Sequence, residues 1–324
     1  MFELALQNLL SPMVLFFVLG LAAALARSDL TVPEAVAKLL ALYLLMAIGF
    51  KGGAEVAHHG VDGTLVATLA AGILLSFATP VLAYAILRGT TRLDPVNAAA
   101  VAAHYGSISA VTLVAVTGVL TQLGIAWDGY MVAVAAAMET PAIVAALLIA
   151  RGRSGGDEPG ESRGALLREV AFNGSIVILV GAFLIGAVTG ARGAGLLKPF
   201  LVDAFPGVLC LFLLDMGLVA GRGLAQGRRY LSPAVTGFAI VMPLIGAVLA
   251  GGLAWAIGLS KGSTAVLITL AASASYIAVP AAMRLALPQA NPAVALTLSL
   301  GVTFPFNLLV GIPLYIALAG RITA

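Results

Sequence analysis

The chain has 324 residues, of which 61% are hydrophobic and 10% charged, with a mean hydropathy of +1.09; an ordinary soluble domain carries about 25% charged residues. So little charge cannot clothe the exterior of a soluble enzyme of this length, and an integral membrane protein is expected. The formal charge is +3, and the cations stand singly between apolar runs, which excludes the clustered basic footprint of a nucleic-acid binder.

Taken in chain order, ten apolar stretches are long enough to span a bilayer, which needs about 20 residues. They cover residues 9–26, 35–50, 65–87, 96–120, 130–150, 170–188, 200–220, 234–259, 265–287 and 293–319. The segment before the first lacks the basic region of a cleavable leader, so that stretch is read as a retained span. His58 and His59, with Glu55, fall in a loop after the second span and supply too few ligands for a metal site. The fourth span carries His104, Tyr105, Gly106, Ser107, Ile108, Ser109 and Thr112 near its middle, where small and hydroxyl residues predict a broken helix. His104 is read as a hydrogen-bonded helix histidine. The fifth span holds Glu139, Thr140 and Pro141. A carboxylate at membrane depth is a functional candidate by default, and the proline frees a backbone carbonyl one turn earlier.

Residues 151–168 form the longest polar stretch, rich in Gly, Ser, Pro and both signs of charge, a solvated linker by composition. It divides the chain into a first unit of residues 1–150 and a second of 169–324. The seventh span carries a second intramembrane carboxylate, Asp215, and the single cysteine, Cys210, a packing residue. The ninth holds Ser273, Ser275 and Tyr276, followed by Pro280; the tenth holds Thr303, Pro305 and Asn307.

The halves repeat one another. Residues 42–53 lie over residues 212–223, both ending a second span with Met, Gly and a cation. Ser107-Ile108-Ser109 matches Ser273-Ala274-Ser275, and Thr140-Pro141 matches Phe304-Pro305. Five spans per copy is odd, so the second copy enters the membrane from the opposite side, as in secondary transporters built of inverted repeats. Linker-side loops, with Lys38 and Arg284 near adjoining span ends, hold twelve of the seventeen cations, against five on the other side, which predicts a cytoplasmic linker and both termini outside. Helix breaks within hydrocarbon are tolerated only where they line a cavity or pack in protein, and half-helix ends attract ions. The paired breaks thus point to an anion and cation site, with Gly106, Ser107, Ser109, Thr112, Ser273, Ser275 and Tyr276 toward the anion. Glu139, Thr140, Thr303 and Asn307 offer the oxygen ligands a hard cation such as sodium prefers. No phosphate-binding loop occurs and no transition-metal site is expected, so an ion gradient rather than ATP would drive transport.

These residues resemble the sodium-dependent bicarbonate permeases: Ser11-Pro12, the run from Leu44 to Gly53, Gly106 to Thr112, Met138-Glu139-Thr140-Pro141-Ala142 and Pro288-Gln289-Ala290-Asn291-Pro292 carry the likeness along nearly the whole chain. The resemblance implies an all-α integral membrane fold of ten transmembrane helices in two inverted five-helix repeats, similar to bile-acid symporters and sodium/proton antiporters. It implies discontinuous crossing helices four and nine, a core domain of helices 3–5 and 8–10, and a gate domain of helices 1–2 and 6–7. The expected activity is sodium-coupled uptake of bicarbonate by alternating access at the bacterial inner membrane, by a homotrimer that binds a PII-like regulator on its cytoplasmic face. No cofactor is expected beyond sodium as coupling ion. The chain departs from the family in both breaks: it keeps Gly106, Ser109 and Thr112 but places Ala110 and Val111 where the carriers have Gly and Ser, and it has Tyr276 where they have Asp and Ala278 where they have Ser, which removes a carboxylate and a hydroxyl from the second break. Alternatives are a sodium- or proton-coupled carrier of another small or organic anion, and a transport-inactive membrane sensor. An enzyme is excluded by the lack of a grouped His, Asp or Cys set within the spans.

Overall fold

The computed structural model describes residues 10, 12–59, 62–151, 174–227, 231–276, 279, 283, 287 and 289–323. The linker expected over 151–168 lies, after its first residue, outside the described residues. Among the described residues every element is helical: α1 (Pro12–Leu25), α2 (Glu34–His59), α3 (Gly63–Thr90), α4 (Pro95–Gly106), α5 (Ala110–Gln122), α6 (Met131–Ala137), α7 (Glu139–Arg151), α8 (Gly174–Lys198), α9 (Phe205–Gly227), α10 (Pro233–Ile257), α11 (Lys261–Ala271) and α12 (Pro292–Ile322). Seven stretches among the described residues are long and apolar enough to cross a membrane, with α4 and α5 forming one of them. Pro12–Leu25, Met131–Ala146 and Lys261–Ala271 are shorter apolar helices. The protein is a multi-pass membrane protein.

Local sequence explains the helix ends. Asp62 accepts the Leu65 N–H at 2.9 Å, and Asp94, followed by Pro95, accepts from Val96 and Asn97 at the start of α4, the usual economy of an N-cap. α10 closes on Gly258, whose φ of 80° is left-handed and suits a residue without a Cβ.

The second helix runs past the expected boundary. Residues 51–59, read as a loop containing His58 and His59, continue α2 for more than two further turns, because Gly52 and Gly53 serve packing rather than termination. A Cβ on Gly53 would overlap the Phe183 carbonyl of α8, and one on Gly186 would overlap the Phe50 carbonyl of α2. The α1–α9 pair uses the same device, with Gly20 against the Leu214 carbonyl and Gly217 against the Phe17 carbonyl. Within a bilayer such small-residue contacts let backbones approach and give dispersion energy that lipid cannot replace. The remaining helices are joined by polar ties at both ends. On one side Asp128, in the loop after α5, accepts from Ser260 and Ser263 at the start of α11. On the other, the Asn291 N–H donates to Asn97 Oδ1 of α4 at 2.7 Å.

Candidate functional site

The fourth apolar stretch is broken where its small polar residues cluster. α4 ends at Gly106, Ser107 and Ser109 adopt extended backbone, and α5 starts at Ala110 with the Ser109 hydroxyl accepting the Thr112 N–H. Gly106 is required here, since a Cβ would overlap the Pro80 ring of α3 and touch the Ala142 Cβ of α7 at 3.0 Å. In the ninth stretch α11 ends at Ala271, and residues 273–275 are non-helical. The Cβ of an alanine at Gly246 in α10 would overlap the Ala271 carbonyl, so this break is also seated against a small residue.

The two breaks meet. The Ser275 N–H donates to the His104 carbonyl at 2.7 Å. In the opposite sense the Ser109 N–H donates to Ser273 Oγ at 2.9 Å, and that hydroxyl donates to the Leu270 carbonyl at 2.7 Å. The crossing thus holds one bond between backbones and one from a backbone N–H to a serine hydroxyl, with a longer contact from the His104 ring beside them. Ser273 is consumed by this relay, whereas Ser107, its counterpart in the first break, is 1% exposed and its hydroxyl has no hydrogen-bond partner. The Tyr276 side chain, 8% exposed, interacts with Ser109, but its hydroxyl makes no hydrogen bond of ordinary geometry. His104 is buried with Nδ1 3.4 Å from the Ser275 carbonyl.

Pro141 and Pro305 interrupt the fifth and tenth stretches. α6 ends at Ala137 and α7 begins at Glu139, while α12 contains π-helical turns at Ser299–Thr303 and Asn307–Gly311, a distortion often found at functional positions. Glu139 is 4% exposed, and its Oε2 has no partner. It lies one turn before Ala142, which packs on Gly106. With Ser107 and Tyr276 it completes the set of buried side-chain oxygens without a partner among the described residues. Buried polar groups are normally paired, so three orphans, two of them at one helix crossing, are the candidates for contact with a ligand.

The expected cation residues are placed differently from one another. Thr303 Oγ1 donates to the Ala239 carbonyl and accepts from the Tyr105 hydroxyl, both at 2.7 Å. Asn307 Nδ2 donates to the Ala272 carbonyl at the end of α11, and its Oδ1 accepts from Tyr315, both at 2.8 Å. Neither shares a hydrogen bond with Glu139. Thr140 is helical, and its side chain lies outside the described residues, as do Ile277, Ala278 and Pro280. Thr112 is buried and capped by Ser109. Tyr105 stands in the polar run of the fourth span, but its bond to Thr303 and the parts played by Ala239 and Tyr315 are not legible in the sequence; a hydroxyl or carbonyl of this kind gains its role from a partner elsewhere in the fold, which spacing along one helix does not display. Asp215 is buried in α9, seven residues before Arg222, whose guanidinium donates to the Leu30 carbonyl.

A cavity of about 540 Å³ lies beside the crossing. Glu34 and Lys38 at the start of α2 and Gly174 at the start of α8 mark its mouth, on the linker side. Ala110, Val111, Tyr276 and Leu300 lie at its inner end. Phe304 of α12 packs here, edge-on to Phe17 of α1 at 5.4 Å and to Tyr276 at 5.6 Å between ring centres.

No curated protein matches the chain significantly. The family model of the Na+-dependent bicarbonate transporter superfamily matches residues 12–320, nearly the full length. A transmembrane carrier rather than an enzyme is what this match describes, and the chain belongs to the Na+-dependent bicarbonate transporter superfamily.

Proposed function

We propose that the protein imports bicarbonate together with sodium by alternating access, with the anion bound where the broken helices cross. The observation that carries this reading is the meeting of two interrupted helices, tied through Ser275, His104, Ser109 and Ser273, with the buried hydroxyl of Ser107 left unpartnered beside them. Free half-helix amides and this hydroxyl suit an oxyanion. Ser107, Ser109, Thr112, Ser273 and Ser275 hold the anion or shape its seat. Glu139, whose Oε2 is without a partner, and Thr140 would offer the cation hard oxygen ligands, while Thr303 and Asn307, engaged with Ala239 and Ala272, would hold the helices around them.

Ten helices in two inverted five-helix repeats account for the matched contacts of the two halves. Ser76, four residues before Pro80, donates to the Met138 carbonyl; Ala239, four residues before Pro243, accepts from Thr303. Asp128 ties to the start of α11 as Asn291 ties to the start of α4. On this reading α3–α7 and α10–α12 form the core and α1, α2, α8 and α9 the gate, and the linker-side cavity is an inward-facing opening between them. The same reading carries an inner-membrane location with the termini outside and residues 151–168 cytoplasmic, a homotrimer, and docking of a PII-like regulator.

The test is uptake of labelled bicarbonate into proteoliposomes under an inward sodium gradient. Accumulation that collapses when potassium replaces sodium is expected. Uptake indifferent to that exchange overturns the coupling.

A further inference from the structure

The walls of the linker-side cavity do not suit a small hydrated ion. Leu44, Leu45, Val114, Phe212 and Met216 line its length, and bicarbonate held against them would find no partners for its three oxygens. At the inner end the chemistry changes. Ala110 and Val111 open α5, a helix of 13 residues, and the first amides of a helix have no intrahelical acceptor. Ser109 caps only the Thr112 N–H. Tyr276 lines the same end, more than nine-tenths buried, with its hydroxyl beside the Ser109 cap of α5 but without a hydrogen bond of ordinary geometry. A helix N-terminus and a buried phenol together offer donors to one anionic group. No cation lies among the inner lining residues; Lys38 stands only at the mouth, one helical turn from Glu34.

On the reading that the crossing is an anion site, we propose that the cavity takes monocarboxylates with an apolar body, and that Tyr276 selects them. The carboxylate sits between the Tyr276 hydroxyl and the amides of Ala110 and Val111, and the body lies along Leu44, Leu45 and Phe212. The volume falls within the range of about 300–1,000 Å³ usual for small-molecule sites. A second carboxylate on the same ligand would face apolar wall, so dicarboxylates are rejected. Tyr276 keeps its ring packing on Phe304 when its hydroxyl is removed, which makes Tyr276→Phe a clean probe.

The experiment uses the full chain in lipid nanodiscs with sodium present. Binding of radiolabelled benzoate is measured against its neutral analogue benzamide and against phthalate, and benzoate inhibition of labelled bicarbonate uptake is measured in proteoliposomes. Benzoate is expected to bind and to raise the unfolding temperature, as a ligand of the folded state does, while benzamide and phthalate bind at least tenfold more weakly. Tyr276→Phe is expected to weaken benzoate about tenfold, the usual worth of a hydrogen bond to a charged group, and Leu45→Ser to weaken it as well without altering preference over benzamide. Equal binding of benzoate and benzamide, or benzoate binding unchanged in Tyr276→Phe, overturns the proposal. Sodium-driven bicarbonate uptake with no benzoate binding overturns it while leaving the transport reading intact. Benzoate binding in a protein that moves no bicarbonate supports it and removes bicarbonate as the cargo.

Discussion

Two serines at equivalent places in the two breaks, Ser107 and Ser273, should respond to alanine in opposite ways. Ser273 Oγ accepts the Ser109 N–H at 2.9 Å and donates to the Leu270 carbonyl at 2.7 Å. In Ser273→Ala the Leu270 carbonyl keeps the Ser273 N–H, 3.1 Å away, so its loss is partial. The Ser109 N–H keeps nothing. One buried donor stranded in this way costs about 1–3 kcal/mol, and water cannot reach it, since Ser109 is 3% exposed. Ser107 Oγ has no partner to lose, so Ser107→Ala should change stability by less than about 0.5 kcal/mol, or raise it slightly. Transport should divide the other way, with Ser107→Ala losing uptake while remaining folded. Reversible unfolding in mixed micelles, followed by helical circular dichroism, gives the first comparison and proteoliposome uptake the second. Equal destabilisation by the two variants, or a larger loss in Ser107→Ala, would refute the assignment of relay and free hydroxyl.

Other substitutions test other parts of the account. Asn307→Leu removes the cap on the Ala272 carbonyl and the partner of the Tyr315 hydroxyl, and should destabilise by about 1–3 kcal/mol for each group stranded, read in the same unfolding assay. Gly53→Ala drives a Cβ into the Phe183 carbonyl; forcing α2 and α8 apart should cost about 1–3 kcal/mol, and a neutral result would deny the close backbone approach. At the linker-side end of α4, desolvation acts to raise the Asp94 carboxyl but is outweighed by the bonds from Asn97 and Val96, which hold it below the usual aspartate range. A group with a depressed folded value stabilises above its unfolded value and loses that contribution as pH falls through the folded one. Amide exchange at Val96 and Asn97 should therefore accelerate only in acid below the ordinary aspartate range, and Asp94→Asn should abolish that pH dependence.

The spans were legible because lipid demands apolar length, and the breaks because paired serines stand at matching places inside two apolar runs. Ser107-Ile108-Ser109 and Ser273-Ala274-Ser275 stand where the helices stop. What spacing along the chain could not give was the use made of each group. Gly52 and Gly53 look like a helix end, yet α2 runs through them, since a glycine permits close packing as readily as it permits a turn. Thr303 and Asn307 look alike as oxygen donors, but one ties α12 to Tyr105 and α10, and the other seals the end of α11. The inequality of Ser107 and Ser273 arises only from the way two breaks from distant parts of the chain cross.

The most direct measurement is a dipolar contact in lipid bilayers between carbon-13 bicarbonate and nitrogen-15 serine amides at the crossing. The account predicts a contact to Ser107 or Ser109 that requires sodium and disappears in Ser107→Ala. Bicarbonate that binds with no contact to these amides, or with the same contact when potassium replaces sodium, would contradict it.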